Sequence, residues 1–184
     1  MSERPSKGIG KRVVKYRKLA GISARELSER IGGELSRGVI ANIESGRKTD
    51  VTIDQLVALA WALDVPPVVL ALPVDEPLKF VQMFQGPKVA QAIRSSSAVS
   101  WFNADANASR FNSPAGPGTV LAQALLKAIN EYEWADAAAR MAKIRLAEGK
   151  IDQVRFDEDQ AFLEKTAAAL RSLGADLTVF KIDE

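Results

Sequence analysis

The chain offers a narrow choice of reactive side chains. Its 184 residues contain no histidine and no cysteine. Imidazole acid–base catalysis, thiolate nucleophiles, Ser–His–Asp arrangements, disulfides and Cys/His zinc sites are therefore excluded. Asp157, Glu158 and Asp159 cluster, but at an expected helix start, where negative charge complements the helix dipole. A carboxylate metal site there is the weaker alternative. No Gly-rich phosphate loop is present. The expectation is a protein that is not an enzyme and holds no cofactor or metal. What stands out is base: residues 1–48 hold 12 Lys/Arg and 5 Asp/Glu, a net +7. Residues 75–184 hold 13 and 15, a net −2. Such asymmetry fits either a first third that meets a polyanion or a solvated basic face.

The elements that position these charges follow from apolar spacing. Val13, Val14 and Tyr16 lie on a first helix that Ala20-Gly21 ends. Ser23, with Glu26 three residues on, is a capping box opening a second helix with Leu27 and Ile31 on its apolar face. Gly32-Gly33 stops it. Ser36 caps a third helix bearing Val39, Ile40 and Ile43, ended by Ser45-Gly46. Thr52 or Asp54 opens a fourth through Leu56, Leu59, Ala60 and Leu63. Pro66-Pro67 suits the first turn of a fifth, through Val69, Leu70 and Leu72. Residues 10–74 are thus expected to form a compact all-α domain behind a flexible tail at 1–9.

Pro73 to Pro77 reads as a boundary, and residues 75–184 as a mainly helical second domain. Leu78 to Ile93 is helix-compatible, broken by Gly86-Pro87. Residues 95–118 are rich in Ser, Asn, Ala, Gly and Pro and read as a long irregular connection, although Val99–Phe102 and Phe111 give it aromatic patches. Residues 119–148 form the longest helical pattern. Its seam is Leu121, Leu125, Ala128, Tyr132, Ala135, Ala139, Ala142 and Leu146, alternating steps of 4 and 3. Residues 157–173 give a second helix, so a helical hairpin is expected. The seam serves either packing within the chain or a homodimer interface, and the dimer is the expectation. Leu177–Ile182 alternates and suits a short terminal strand.

No apolar run approaches the roughly 20 residues of a membrane span. The beginning, MSERPSKGIGK, lacks an apolar signal stretch. The expected location is the cytoplasm, at the nucleoid.

The blocks GKRVVKYRKLAGISARELSERIG, LSRGVIANIESGRKTD and TIDQLVALAWALDVPPVVL stand in order between Gly10 and Leu72. In this text the chain resembles the lambda-repressor-like, XRE-type helix-turn-helix family. The resemblance implies a five-helix DNA-binding domain that places its third helix in the major groove. It implies base reading by Arg37, Gly38 and Asn42: arginine can reach guanine O6 and N7, and asparagine adenine N6 and N7. It implies phosphate contacts from Ser36 at the helix N-terminus and from Arg47 and Lys48 after it. Arg25, Lys11 and Arg12 are further phosphate candidates. Arg17 and Glu44 match an ion pair between the first and third helices. Two positions depart from the family: Ala24 stands where glutamine is usual, and the turn Gly32–Leu35 is two residues longer.

The resulting expectation is a sequence-specific regulator of double-stranded DNA. It would be a repressor, in the manner of phage immunity repressors, reading an inverted repeat as a homodimer through residues 75–184. The alternative is an antitoxin-type protein whose second domain neutralises a toxin partner. A self-cleaving repressor would need a Ser–Lys dyad after Ala115-Gly116. That class also needs a β-rich domain there, whereas the 68 residues after the bond read as mostly helical and hold serine only at Ser172, which weighs against this reading.

Overall fold

Proline at the first helical position has no amide hydrogen to leave unpaired and a preset φ. This is why α1 begins at Pro5 and runs to Leu19, rather than starting after a nine-residue tail. Ile9 and Gly10, at the edge of the expected tail, are buried. The computed structural model describes residues 4–85, 90–103 and 117–177. They divide between two units, Met1–Asn103 and Ala104–Glu184.

In the first unit α1 is followed by α2 (Ala24–Arg30), α3 (Arg37–Glu44), α4 (Ile53–Ala62) and α5 (Pro67–Ala71). Local chemistry starts each one. Ser23 and Glu26 form a reciprocal capping box on α2, and Thr52 and Gln55 one on α4. Ser36 caps α3, and Pro67 opens α5. A core of Val13, Leu27, Ile40, Ile43, Leu59 and Leu70 joins the five helices.

The unit does not stop at the proline-rich segment after α5. The helix-compatible stretch 78–93 is instead an antiparallel hairpin of β1 (Phe80–Gln85) and β2 (Ala90–Arg94). Period-two spacing prevails here: Val81 is buried and Met83 packs on the same cluster, with Gln82 between. The intervening residues, with Gly86 and Pro87, lie outside the described residues. The stretch expected as irregular connection opens with a helix, α6 (Ser95–Phe102). Ala98 on α6 and Val81 on β1 meet Ala71 and Leu72 at the end of α5. Ser95 is buried and its hydroxyl donates to the Pro73 carbonyl at 2.7 Å. Burial across residues 71–98 therefore carries the first unit past position 74, to Asn103. Phe111 lies outside the described residues.

The second unit contains α7 (Pro117–Ala147) and α8 (Gln153–Ser172), packed as a hairpin. Asp152 caps α8 by accepting from the Arg155 amide at 2.9 Å, so the helix starts four residues earlier than expected. Asp157, Glu158 and Asp159 consequently sit within it. Arg155 pairs with Glu158 and Asp159, and Gln153 donates to Asp157. Among the described residues no group of three or more Asp/Glu is arranged to hold a metal.

The seam residues fall differently from the dimer expectation. Ala128, Ala135, Ala139 and Ala142 are buried within the hairpin itself. Leu125, Tyr132 and Leu146 are half-buried, and Leu121 is exposed. Alanine allows a close helix approach, and α8 takes that side of α7. Of the expected terminal strand only Leu177 is described. Among the described residues no helix is long and apolar enough to cross a membrane.

Candidate nucleic-acid interface

α3 is eight residues long and divides cleanly. Ile40 and Ile43 point into the core, while Arg37, Gly38, Ala41, Asn42 and Ser45 are exposed. The exposed positions recur at spacings of three and four and so share one face. The Ser36 hydroxyl accepts from the Val39 amide at 3.3 Å, which occupies a lone pair and leaves its hydrogen to donate. A Cβ at Gly38 would meet only the Ser36 oxygen, at 3.8 Å. Arg37, Gly38 and Asn42 therefore lie together on the open face. Ala41 and Ser45 lie there too and were not among the sequence candidates. The i, i+4 step from Arg37 to Ala41 is the signal that places them.

The buried side of α3 is fixed from α1. Arg17 Nε lies 2.5 Å from Glu44 Oε1 and Nη2 lies 2.9 Å from Oε2, a two-pronged pair. The third nitrogen donates to the Ile22 carbonyl at 2.8 Å. The side chains are 15% and 13% exposed, so water screens this pair far less than a surface one. The Glu44 carboxylate, through hydrogen bonding and charge, holds the Arg17 guanidinium above its ordinary pKa. Beside this pair the two helices come into backbone contact, because a Cβ on Gly10 would stand 2.0 Å from the Ile43 carbonyl oxygen.

The longer turn between α2 and α3 is accommodated by two residues of positive φ, Gly32 and Gly33. Leu35 is buried beneath it, and the Ser28 hydroxyl donates to the Leu35 carbonyl at 2.7 Å. Ala24 packs partly against the core. In the capping box, the Ser23 amide and hydroxyl bonds hold the Glu26 carboxyl below its usual range.

The phosphate candidates separate into groups. Lys11 and Arg47 are exposed. Arg25 is exposed and paired with Glu29 one turn on, at 2.9 Å, a surface pair worth little and readily exchanged. Lys48 is half-buried; its ammonium donates to the Asp50 carboxylate at 3.1 Å and to the Asp50 carbonyl at 3.0 Å. Arg12 does not fit the role. Its Nε donates to the Leu70 carbonyl at 2.6 Å, and Nη2 to Ala71 and Pro5 at 2.8 Å each. The Leu70 and Ala71 carbonyls belong to the last turn of α5 and have no helical amide to meet; Pro5 opens α1. A guanidinium with several fixed donors satisfies them, so Arg12 is a clasp within the fold.

The whole is a short helix braced on one side and open on the other, flanked by exposed cations. Such a face can donate hydrogen bonds to base edges and phosphates.

A family model described as helix-turn-helix matches residues 13–70, about a third of the chain. The span runs from Val13 in α1 to Leu70 in α5 and includes the whole of α2, α3 and α4. No curated protein and no solved structure matches the chain.

Proposed function

We propose, taking as premise the lambda-repressor-like helix-turn-helix DNA-binding domain that residues 13–70 form, that this regulator is a sequence-specific repressor. Arg37 and Asn42 on the open face of α3 read base edges, with Gly38 keeping the helix close to the groove floor. Ser36, Arg25, Arg47, Lys48 and Lys11 meet phosphate. Two copies joined through residues 75–184 set two reading helices about 34 Å apart, one turn of duplex, on an inverted repeat. Repression follows from covering a promoter.

The observation that carries the reading is the division of α3. Ile40 and Ile43 serve the core, whereas Arg37 and Asn42 stand exposed on a face that the fold does not use.

The test is selection of bound genomic fragments at physiological salt, with Arg37→Ala alongside. A motif of two inverted half-sites, lost or relaxed in the variant, supports the proposal. An asymmetric motif removes the two-fold arrangement. Weak binding that ignores sequence and is unchanged by Arg37→Ala removes the base-reading assignment.

A further inference from the structure

The α7–α8 hairpin is inside out in one respect. Its interior is built on small residues, Ala135, Ala139 and Ala142, while large apolar side chains stand outside. Val120 is 54% exposed, Trp134 67%, Met141 49% and Ile144 52%. At 100° per residue these four fall within about a third of the helix circumference, centred about 130° round the helix from the buried alanines that face α8. α8 extends the same surface, since Phe162 meets Trp134 edge to face at 5.7 Å. A two-helix unit that buries mainly alanine gains little from its own core.

We propose that a second copy of this chain covers this stripe. Two α7–α8 hairpins then close into a four-helix bundle about a two-fold axis between Ala137 and Ala138. This rests on the two-fold arrangement in the regulator reading and assigns its interface to a flank of the hairpin that both helices share, not to the alanine seam. Three observations select a second copy. First, small residues, Ala137 and Ala138, lie at the crossing, where the two α7 helices would need to approach. Second, antiparallel pairing about that point is self-complementary. Trp134 and Met141 are equidistant from the axis and so face each other across it, a favourable sulfur–aromatic contact. Lys127 and Glu148 are likewise equidistant, which brings opposite charges together. Their present partners, Glu131 and Lys150, are surface neighbours on the same chain and exchange at little cost. Third, the size is right. From Val120 to Ile144 the stripe runs about 36 Å. Across two helices about 20 Å wide it offers on the order of 700 Å² per copy, against about 800 Å² for a standard interface.

The test uses the full chain in sedimentation equilibrium, with helicity followed by circular dichroism. The wild type is expected to dimerise. Trp134→Glu is expected to weaken self-association by about tenfold or more at unchanged helicity. Lys127→Glu and Glu148→Lys each weaken it, and the double exchange restores it to within about threefold. That rescue keeps the proposal testable should Trp134→Glu misfold. Because the chain has no native cysteine, Ala138→Cys is a unique thiol at the axis, and a short bis-maleimide should join two copies through it. A wild type that stays monomeric at tens of micromolar overturns the proposal. So does a dimer indifferent to Trp134→Glu and to the charge exchanges. Operator binding in the same variants separates the two readings. A monomer that still selects one half-site through Arg37 leaves the DNA reading standing. A dimer without Arg37-dependent binding leaves this interface standing.

Discussion

Replacing Gly10 with alanine puts the packing of the reading helix to a quantitative test. In an exposed helix the change gains about 1 kcal/mol, because alanine loses less backbone entropy. At position 10 the new Cβ lies 2.0 Å from the Ile43 carbonyl oxygen and 3.3 Å from that of Glu44. No real Cβ approaches below 3.0 Å, so α1 and α3 must part by at least 1 Å. The obstacle is backbone, which cannot rotate away as a side chain would. A gap of that size forfeits about a quarter to a half of each dispersion contact across it, and Ile9, Val13, Ile40 and Ile43 are all buried nearby. Overpacking strain of this kind costs about 1–3 kcal/mol and sometimes more. The same displacement stretches the Arg17–Glu44 pair. Because the obstacle is backbone, the cost falls at the upper end of that range, and with the helix-propensity gain subtracted the net loss should be about 2 kcal/mol. Urea denaturation of the full chain, following the transition of the first unit, measures it. The natural control is Gly38→Ala, which meets nothing nearer than 3.8 Å and should raise stability by about 0.5–1 kcal/mol. If Gly10→Ala is neutral or stabilising, the close α1–α3 contact is wrong, and with it the account of how α3 is held.

Other outcomes follow from the same geometry. Arg17→Met or Glu44→Gln alone should cost about 3 kcal/mol, while the double replacement should cost clearly less than the sum, read in a double-mutant cycle. Arg12→Leu should cost about 2 kcal/mol of stability by orphaning the Leu70 and Ala71 carbonyls, with no change in the salt dependence of DNA binding. Lys11→Ala should instead reduce the slope of log K against log salt by about 1 at unchanged stability. Lys15 donates to Asp75 at 2.6 Å and holds that carboxyl below its ordinary pKa. A carboxyl depressed in the fold stabilises above its unfolded pKa of about 3.9 and loses that contribution as pH falls through the lower folded value. Asp75→Asn should therefore flatten the acid limb of an unfolding curve below about pH 4.

The first five helices were legible because local chemistry agreed with apolar period. Ser23 with Glu26, Ser36 and Pro67 mark helix starts by hydrogen bonding or preset φ, and neighbours need not be known. The open face of α3 was legible for the same reason, since Ile40 and Ile43 fix which side is buried. Beyond residue 74 such marks thin out. Phe80–Arg94 carries apolar residues at positions that suit a helix as well as a strand, and the choice is made by burial of Val81 against Leu72, a contact across nine residues. Arg12 was misassigned because its partners, the carbonyls of Leu70 and Ala71, are backbone groups almost sixty residues away. A basic residue among basic residues gives no sign of that. The seam of α7 was visible as a period, but a period names a face and not the neighbour that fills it.

The division of α3 also has a bearing on how such a protein changes over time. Stability is invested in Ile40, Ile43, Ser36 and Glu44, and in the α1 positions that grip them. Arg37, Gly38, Ala41, Asn42 and Ser45 contribute almost nothing to holding the domain together. Five adjacent exposed positions can then be rewritten freely, since mutations there are close to neutral for folding. A duplicated gene could drift to a new operator without first passing through an unstable intermediate. Its vocabulary of target sequences is limited by what the groove accepts, not by what the fold tolerates.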